Sequence, residues 1–377
     1  MDHSIEKAEG ETMTTPVVEN LSAITLERVN LLIEKNGSPQ IGYLIWTKPN
    51  IGKKMVGEYV RALEMRGIHH IRTGISWAEW RDPQLREWIV WYIREYARYF
   101  TVLPCLTFTP PELGLKPQVN APPRNLGTYA EFVTEVIDHL GDVVTEVELW
   151  NEWNLNTDWD PGLDPDYKLF SQMVCEGARV CRSRGKRPVL GGMSKVNNIT
   201  LDILQEFGES MGSCVDIIGF HNLRGTWSDH KSPPPLWLQA EYMQKAWGKK
   251  LPVYLTEYGF PPVDPEKRFN LDYLEDIQVA LFAYATYICL LGSIERVYWY
   301  TYKDEVSPSL RFVTTGWEDV LQHYFGDTRE DGVPRKLGSL LLEGGPLYVL
   351  RYATLQGLLP LVDNASLGRK IPPEYTG

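Results

Sequence analysis

Two glutamates carry the strongest chemical signal in the chain. Glu152 lies in Glu148-Leu149-Trp150-Asn151-Glu152-Trp153-Asn154, and Glu257 in Leu255-Thr256-Glu257-Tyr258-Gly259. Each follows an apolar run, has aromatic neighbours, and stands 257 − 152 = 105 residues from the other. One carboxylic acid to protonate a leaving oxygen and one carboxylate to attack a carbon or activate water is the equipment that cleaving a glycosidic bond needs. A separation of roughly 5–5.5 Å would mean direct attack and retained configuration. A lone Glu at a strand end is more often a salt-bridge partner or a solvated rim residue. Two in matching contexts and in the right order favour chemistry.

The elements that would bring them together can be read from periodicity. Eight short apolar runs occur: Ile41–Trp46, His70–Trp77, Thr101–Phe108, Val144–Trp150, Pro188–Gly191, Val215–Phe220, Pro252–Thr256 and Arg296–Tyr300. They are nearly continuous rather than alternating, as strands buried on both faces are. Between them lie amphipathic helical stretches. In Leu85–Phe100, for example, Leu85, Trp88, Ile89, Tyr92, Ile93, Tyr96, Ala97 and Phe100 form one stripe. The others are Met55–Leu63, Tyr129–Leu140, Tyr167–Val180, Leu201–Phe207, Leu236–Trp247 and Tyr273–Leu291. Asp82-Pro83 and Asp164-Pro165 are helix-start signals.

Strand–helix alternation repeated eight times predicts a single (β/α)₈ TIM barrel of α/β class, and no glycine-rich nucleotide fingerprint follows the first strand at Ile41-Gly42-Tyr43. The expected division is a polar leader over 1–37, with a helical or strand segment around Leu21 to Ile33, a catalytic barrel over 38–350, and an extension over 351–377 packed on it. Barrel enzymes carry their chemistry at the C-terminal strand ends. The fourth and seventh strands, which end in Glu152 and Glu257, lie on roughly opposite sides of a closed barrel. Trp46, Trp77 and Trp153 also end strands, where they suit sugar stacking or packing. Asp158, Asp160 and Asp164 read as a solvated loop after the fourth strand.

Composition narrows the function. The 377 residues carry a net charge of −11, which argues against nucleic acid or an anionic membrane as the main partner. Aromatic residues reach 12%, with 13 Trp and 20 Tyr, and suit the apolar faces of sugar rings. The five cysteines form no CxxC pair and read as buried thiols, with neither a disulfide framework nor a zinc site expected. The first residues are polar and acidic and lack the apolar core of a signal peptide, so a cytoplasmic protein is expected unless a signal was removed.

The two glutamate motifs resemble the signature of clan A glycoside hydrolases, in which an Asn-Glu pair ends strand four and a Glu ends strand seven. The resemblance implies that Glu152 is the acid/base, Glu257 the nucleophile, and Asn151 the partner of the sugar 2-hydroxyl. It further implies that Arg72 sits beside the nucleophile, that His221 is an active-site histidine, and that Trp299 is an aromatic platform under the sugar. The WNE context and the tail Tyr324-Phe325-Gly326 … Asp331-Gly332-Val333-Pro334-Arg335-Lys336 most resemble family 39, the β-xylosidase and α-L-iduronidase family. One position departs: His221-Asn222-Leu223-Arg224 lacks the tyrosine that clan members often carry there, a role Tyr258 or Tyr300 could fill.

On the bland reading, Arg72 closes an interior ion pair, His221 is a bonded core residue, and Trp299 packs. The expected substrate is an oligosaccharide, polysaccharide or glycoside, cleaved by double displacement with no metal or cofactor. The rivals are a non-hydrolytic carbohydrate-binding barrel and a transglycosylase. A metal-dependent barrel ranks last, because no His/Asp/Glu ligand set is expected at the strand ends. The sugar and linkage depend on loops, two of which contain Trp227 and Trp317.

Overall fold

The computed structural model describes residues 20–48, 51–212, 214–223, 235–263, 269–304 and 323–364. Trp227 and Trp317 lie outside them. Eight parallel strands close on themselves in sequence order. They are β1 (Ile41–Leu44), β2 (His70–Ser76), β3 (Thr101–Thr107), β4 (Glu146–Leu149), β5 (Arg187–Met193), β6 (Ile217–Leu223), β7 (Val253–Gly259) and β8 (Arg296–Trp299). Closure is made by β1 against β8, with Ile41 opposite Val297 and Tyr43 opposite Trp299. The expected TIM barrel is therefore the observed fold.

The helices are α1 (Leu26–Asn36), α2 (Gly52–Met65), α3 (Trp77–Trp80), α4 (Pro83–Ala97), α5 (Gly127–Leu140), α6 (Lys168–Ser183), α7 (Asn198–Met211), α8 (Leu236–Trp247), α9 (Leu271–Leu290) and α10 (Lys336–Leu355). In α4 the expected stripe is the buried one: Ile89, Tyr92, Ile93 and Tyr96 face the barrel. Asp82 caps it through the amides of Gln84 and Leu85, with Pro83 in the first turn. The segment around Leu21 to Ile33 is mainly helix: α1, capped by Thr25. It packs on α9 and α10, and Asn36 Nδ2 donates to Leu290 O at 2.7 Å. A 3₁₀ segment at Leu359–Asn364 also covers α9. This second layer explains why α9 is buried from Tyr273 to Leu290 and shows no polar face.

The barrel interior follows strand alternation. Leu103, Val189, Ile217, Tyr254 and Tyr298 fill it as one apolar cluster. Toward the N-terminal end, Glu146 accepts from Arg187 at 2.8 Å, Arg296 at 2.6 Å and Tyr254 at 2.8 Å.

Two strands break the alternation. On β7, Phe220 is opposite Leu255 but His221 is opposite Glu257, so Thr256 is an extra residue; the β7–β8 register shifts at the same place. On β5, Leu190 pairs with Ile218 and Met193 with Phe220, so an extra residue sits at Gly191-Gly192. Both are bulges at the rim that receives the reactive residues, where a bulge re-aims a side chain.

The cysteine expectation is corrected. Cys175 on α6 and Cys214, just before β6, form a disulfide, while Cys105, Cys181 and Cys289 are buried thiols. The partners are 39 positions apart, and only packing of α6 beside α7 brings them together.

Candidate active site

Arg72 is the hub of the site. Its guanidinium is fully buried inside the barrel, where an unpaired charge would be very costly, and its fork is used accordingly. Nε and Nη2 donate to Glu148 Oε2 and Oε1 at 2.5 and 3.1 Å, and Nη1 donates to Glu257 Oε1 at 2.8 Å. Nη2 also donates to Asn151 Oδ1 at 2.7 Å. Glu148, to which no separate role was given, is thus the carboxylate that orients Arg72. Its sequence signal was a charge inside a strand buried on both faces.

The end of β4 departs from extended geometry. Trp150 (φ 78°) and Glu152 (φ 32°) lie in the left-handed region, which costs non-glycine residues about 1–3 kcal/mol each. Glu146 and Glu148 point inward, and plain alternation would send Trp150 inward as well. Instead its indole packs against Tyr129 and Trp159, and Asn151 turns toward Arg72. Backbone bonds from Trp150 N–H to Leu106 O (2.9 Å) and from Glu152 N–H to Gly192 O (2.8 Å) hold this turn.

His221 stands between the two glutamates. Its Nδ1 is 2.9 Å from Glu152 Oε1 and 3.8 Å from Glu257 Oε2. One oxygen of each glutamate and that nitrogen all lie within 4.8 Å of one another. This corrects the expectation that no His/Asp/Glu ligand set stands at the strand ends, since the three could approach a cation together. The Arg72 guanidinium bonded to Glu257 would repel such a cation.

Burial lowers His221 to about 4, so its imidazole is neutral at neutral pH. Burial pushes Glu152 up to about 7, opposed by Arg72 acting through space. Burial also raises Glu257, as does the Glu152 charge, and the Arg72 guanidinium that bonds it directly opposes the rise. A direct guanidinium bond favours the ionised form of Glu257, whereas Arg72 reaches Glu152 only through space. The Glu152 side chain is 19% exposed against 8% for Glu257, so water reaches Glu152 more readily.

Arg72, Asn151, Glu152, His221 and Glu257 thus come together as one cluster. Trp46 joins its edge: the ring packs onto Gly74, where a Cβ would lie 1.8 Å from it, and sits 5.7 Å from the Arg72 guanidinium. The other aromatics fall elsewhere. Trp77 stacks on Phe132 and meets Tyr129, both on α5. Trp153 is buried among Tyr167, Phe170 and Phe207, with Nε1 donating to Gly191 O at 3.0 Å. Trp299 lies between Tyr258 and Phe282 of α9, outside the barrel wall, because Tyr298 takes the inward position on β8. By alternation the next inward position is Tyr300, not Trp299. Tyr258 is buried edge-on against Trp299 in that same outer layer.

The loop after β4 is also corrected. Asp158 and Asp164 are buried, and only Asp160 stays partly exposed. Asp164 accepts from the amides of Leu169 (3.0 Å) and Phe170 (2.9 Å), capping α6 from a distance, and Asp158 accepts from Asn151 Nδ2 at 2.8 Å. The tail expected to mark the family is structural: Asp327 accepts from Tyr43 and Arg66, and Arg335 donates to Asp304 at 2.5 Å.

Gly192 lets β5 pass this cluster. A Cβ there would lie 2.3 Å from His221 Nε2 and 2.5 Å from Thr256 Oγ1. Gly192→Ala is expected to cost about 1–3 kcal/mol of stability by overpacking, and to displace His221. Urea unfolding with an unchanged midpoint would contradict that packing.

The fold is a closed (β/α)₈ barrel with its polar cluster at the C-terminal strand ends. No family model matches the chain, and no curated protein matches it. Solved structures do. The exo-β-1,4-mannosidase Op5Man5 from Opitutaceae bacterium strain TAV5 is 13% identical with a TM-score of 0.56, over 85% of this chain and 60% of that one. The chain therefore spans less than two thirds of that protein. Xylanase 10B from Thermotoga maritima is 14% identical with a TM-score of 0.53, over 89% of this chain and 99% of that one. A GH1 β-glucosidase from the fungus Humicola insolens is 11% identical with a TM-score of 0.57, over 85% and 97%. These neighbours are glycoside hydrolases, and at such identities the likeness is one of fold.

Proposed function

We propose that the chain is a retaining glycoside hydrolase acting by double displacement. The observation that carries this is the facing pair Glu152 and Glu257, with carboxyl oxygens within 4.8 Å and Arg72 bonded to Glu257 alone of the two. That spacing suits direct attack better than the wider gap, roughly 6.5–9.5 Å, that leaves room for an intervening water. Glu257 Oε2 attacks the anomeric carbon while Glu152 gives its proton to the departing oxygen. Glu152, now a carboxylate, takes a proton from the water that releases the sugar, restoring both groups. Asn151 meets the sugar 2-hydroxyl, and Trp46 borders the sugar. Residues 38–350 form the catalytic unit in this reading. Disulfides such as Cys175–Cys214 are rare in cytosolic proteins, which favours an oxidising compartment over the expected cytoplasm. Among the described residues, no helix is long and apolar enough to cross a membrane.

The pH dependence follows from the same pair. Turnover requires Glu257 ionised and Glu152 protonated, so kcat/KM is expected to be bell-shaped. Its alkaline limb falls as pH rises through about 7, where Glu152 loses its proton. Activity rising steadily to pH 9 would contradict Glu152 as the acid.

The deciding experiment is incubation of the folded protein with activated 2-deoxy-2-fluoro glycosides, followed by intact mass and peptide mapping. The likeness to family 39 puts β-xylosides and α-L-iduronides first in the panel. A glycosyl adduct on Glu257 is expected. An adduct elsewhere, or none across a broad panel, would overturn the reading, the latter in favour of a binding barrel. Product analysis with added sugar acceptors separates hydrolysis from transglycosylation.

A further inference from the structure

Resting on the reading of Glu152 as acid/base, we propose that Asp158 is a positioning residue for the reaction. It tethers the Asn151 amide between itself and Arg72, and so fixes the hydrogen that Asn151 can offer to a substrate hydroxyl.

Asp158 belongs to the connection between β4 and α6, yet its side chain is buried in the site. Its Oδ2 accepts from Asn151 Nδ2 at 2.8 Å, and Asn151 Oδ1 accepts from Arg72 Nη2 at 2.7 Å. An amide held between a guanidinium and a carboxylate has one workable orientation, oxygen toward the cation and NH₂ toward the anion. One Nδ2 hydrogen then remains to donate to a substrate hydroxyl. The backbone of Asp158 is pinned as well: its carbonyl accepts from Trp150 Nε1 at 2.9 Å, and its N–H donates to Leu155 O at 3.0 Å. The residue in the left-handed turn of β4 and the carboxylate that orients Asn151 are thus tied to one another.

Glu152 faces His221 from β6, Glu257 from β7, the Arg72 charge from β2 and the Asp158 carboxyl from the β4–α6 connection, while Glu148 from β4 and Cys105 from β3 join the cluster through Arg72. Arg72 is bonded to Glu148 and Glu257, His221 is neutral, and the Cys105 thiol is held protonated by burial. Asp158 has no such direct bond to Arg72, whose charge reaches it only through space. Burial and the neighbouring Glu152 charge push Asp158 up to about 7, as burial does for Glu152. Ionisation of either carboxyl therefore opposes ionisation of the other, and the pair shares a proton near neutral pH.

The test uses the full chain and two variants. Asp158→Asn keeps an oxygen that can accept from Asn151 but removes the charge; Asp158→Ala removes both. The titration of Glu152 is followed by carboxyl ¹³C NMR on protein labelled at glutamate, with the signal assigned through Glu152→Gln. The Glu152 midpoint is expected to fall by roughly one pH unit in both variants. With the aryl glycoside of whichever sugar labels Glu257, kcat/KM is expected to fall about tenfold further in Asp158→Ala than in Asp158→Asn. A Glu152 midpoint unmoved in Asp158→Asn overturns the charge effect, and this readout stands even if Asp158→Ala fails to fold. Equal kcat/KM losses in two folded variants overturn the tether. Full turnover in Glu152→Gln overturns the acid/base reading and the proposal with it, whereas the first two results leave that reading intact.

Discussion

Glu257→Gln is expected to abolish turnover, by on the order of 10⁵-fold or more, while leaving the barrel folded. The amide cannot attack an anomeric carbon, but its oxygen can still accept from Arg72 Nη1, now 2.8 Å from Glu257 Oε1. Removal of the charge leaves Arg72 with Glu148, so the guanidinium keeps a bonded anion. Glu152→Gln acts differently. Loss of the proton donor is expected to cost roughly 10²–10⁴-fold with a poor leaving group. With a dinitrophenolate leaving group, which needs no protonation, the first step is largely spared. The slow step then becomes release of the sugar, and the adduct on Glu257 should accumulate in Glu152→Gln. Steady-state rates and intact mass together check both halves, and two variants within tenfold of the native rate would end the assignment.

Arg72→Met is expected to have the largest effect on stability. It strips the cation from two carboxylates that the fold buries, Glu148 and Glu257. Breaking a buried pair from one side costs about 3–5 kcal/mol, because the remaining charge is left without compensation. Glu257 would respond by holding its proton to higher pH, so the acid limb of the activity profile should move up. Arg72→Lys should fail in the same direction: one ammonium cannot reproduce the fork that engages Glu148, Glu257 and Asn151 at once. Urea unfolding and the pH profile of kcat/KM measure the two effects separately. An Arg72→Lys protein with native stability and a native acid limb would show that the fork geometry is immaterial.

The residues expected in the site divide along a clear line. Arg72, Asn151, Glu152, His221 and Glu257 meet as the motifs implied, whereas Trp77, Trp153, Tyr258 and Trp299 pack in the layer between strands and helices. For Trp299 the one-residue parity of β8 decides the matter, since Tyr298 faces inward and its neighbour must face out. For Glu257 the extra residue at Thr256 resets the parity that Tyr254 establishes. A bulge of this kind depends on the strand beside it and leaves no mark in the local sequence.

The sequence by itself determined the number and order of the βα units, several helix starts and the positions of the two glutamates. These are local properties: apolar periodicity, capping residues and short motifs act over a few residues and can be read there. Only the tertiary structure decided that Glu148 anchors Arg72, that Asp158 turns inward onto Asn151, that Cys175 meets Cys214, and that a helix at residues 26–36 helps cover α9. Each is a pairing between distant segments, made because a buried charge, amide or apolar face must find its partner wherever closure of the barrel brings one.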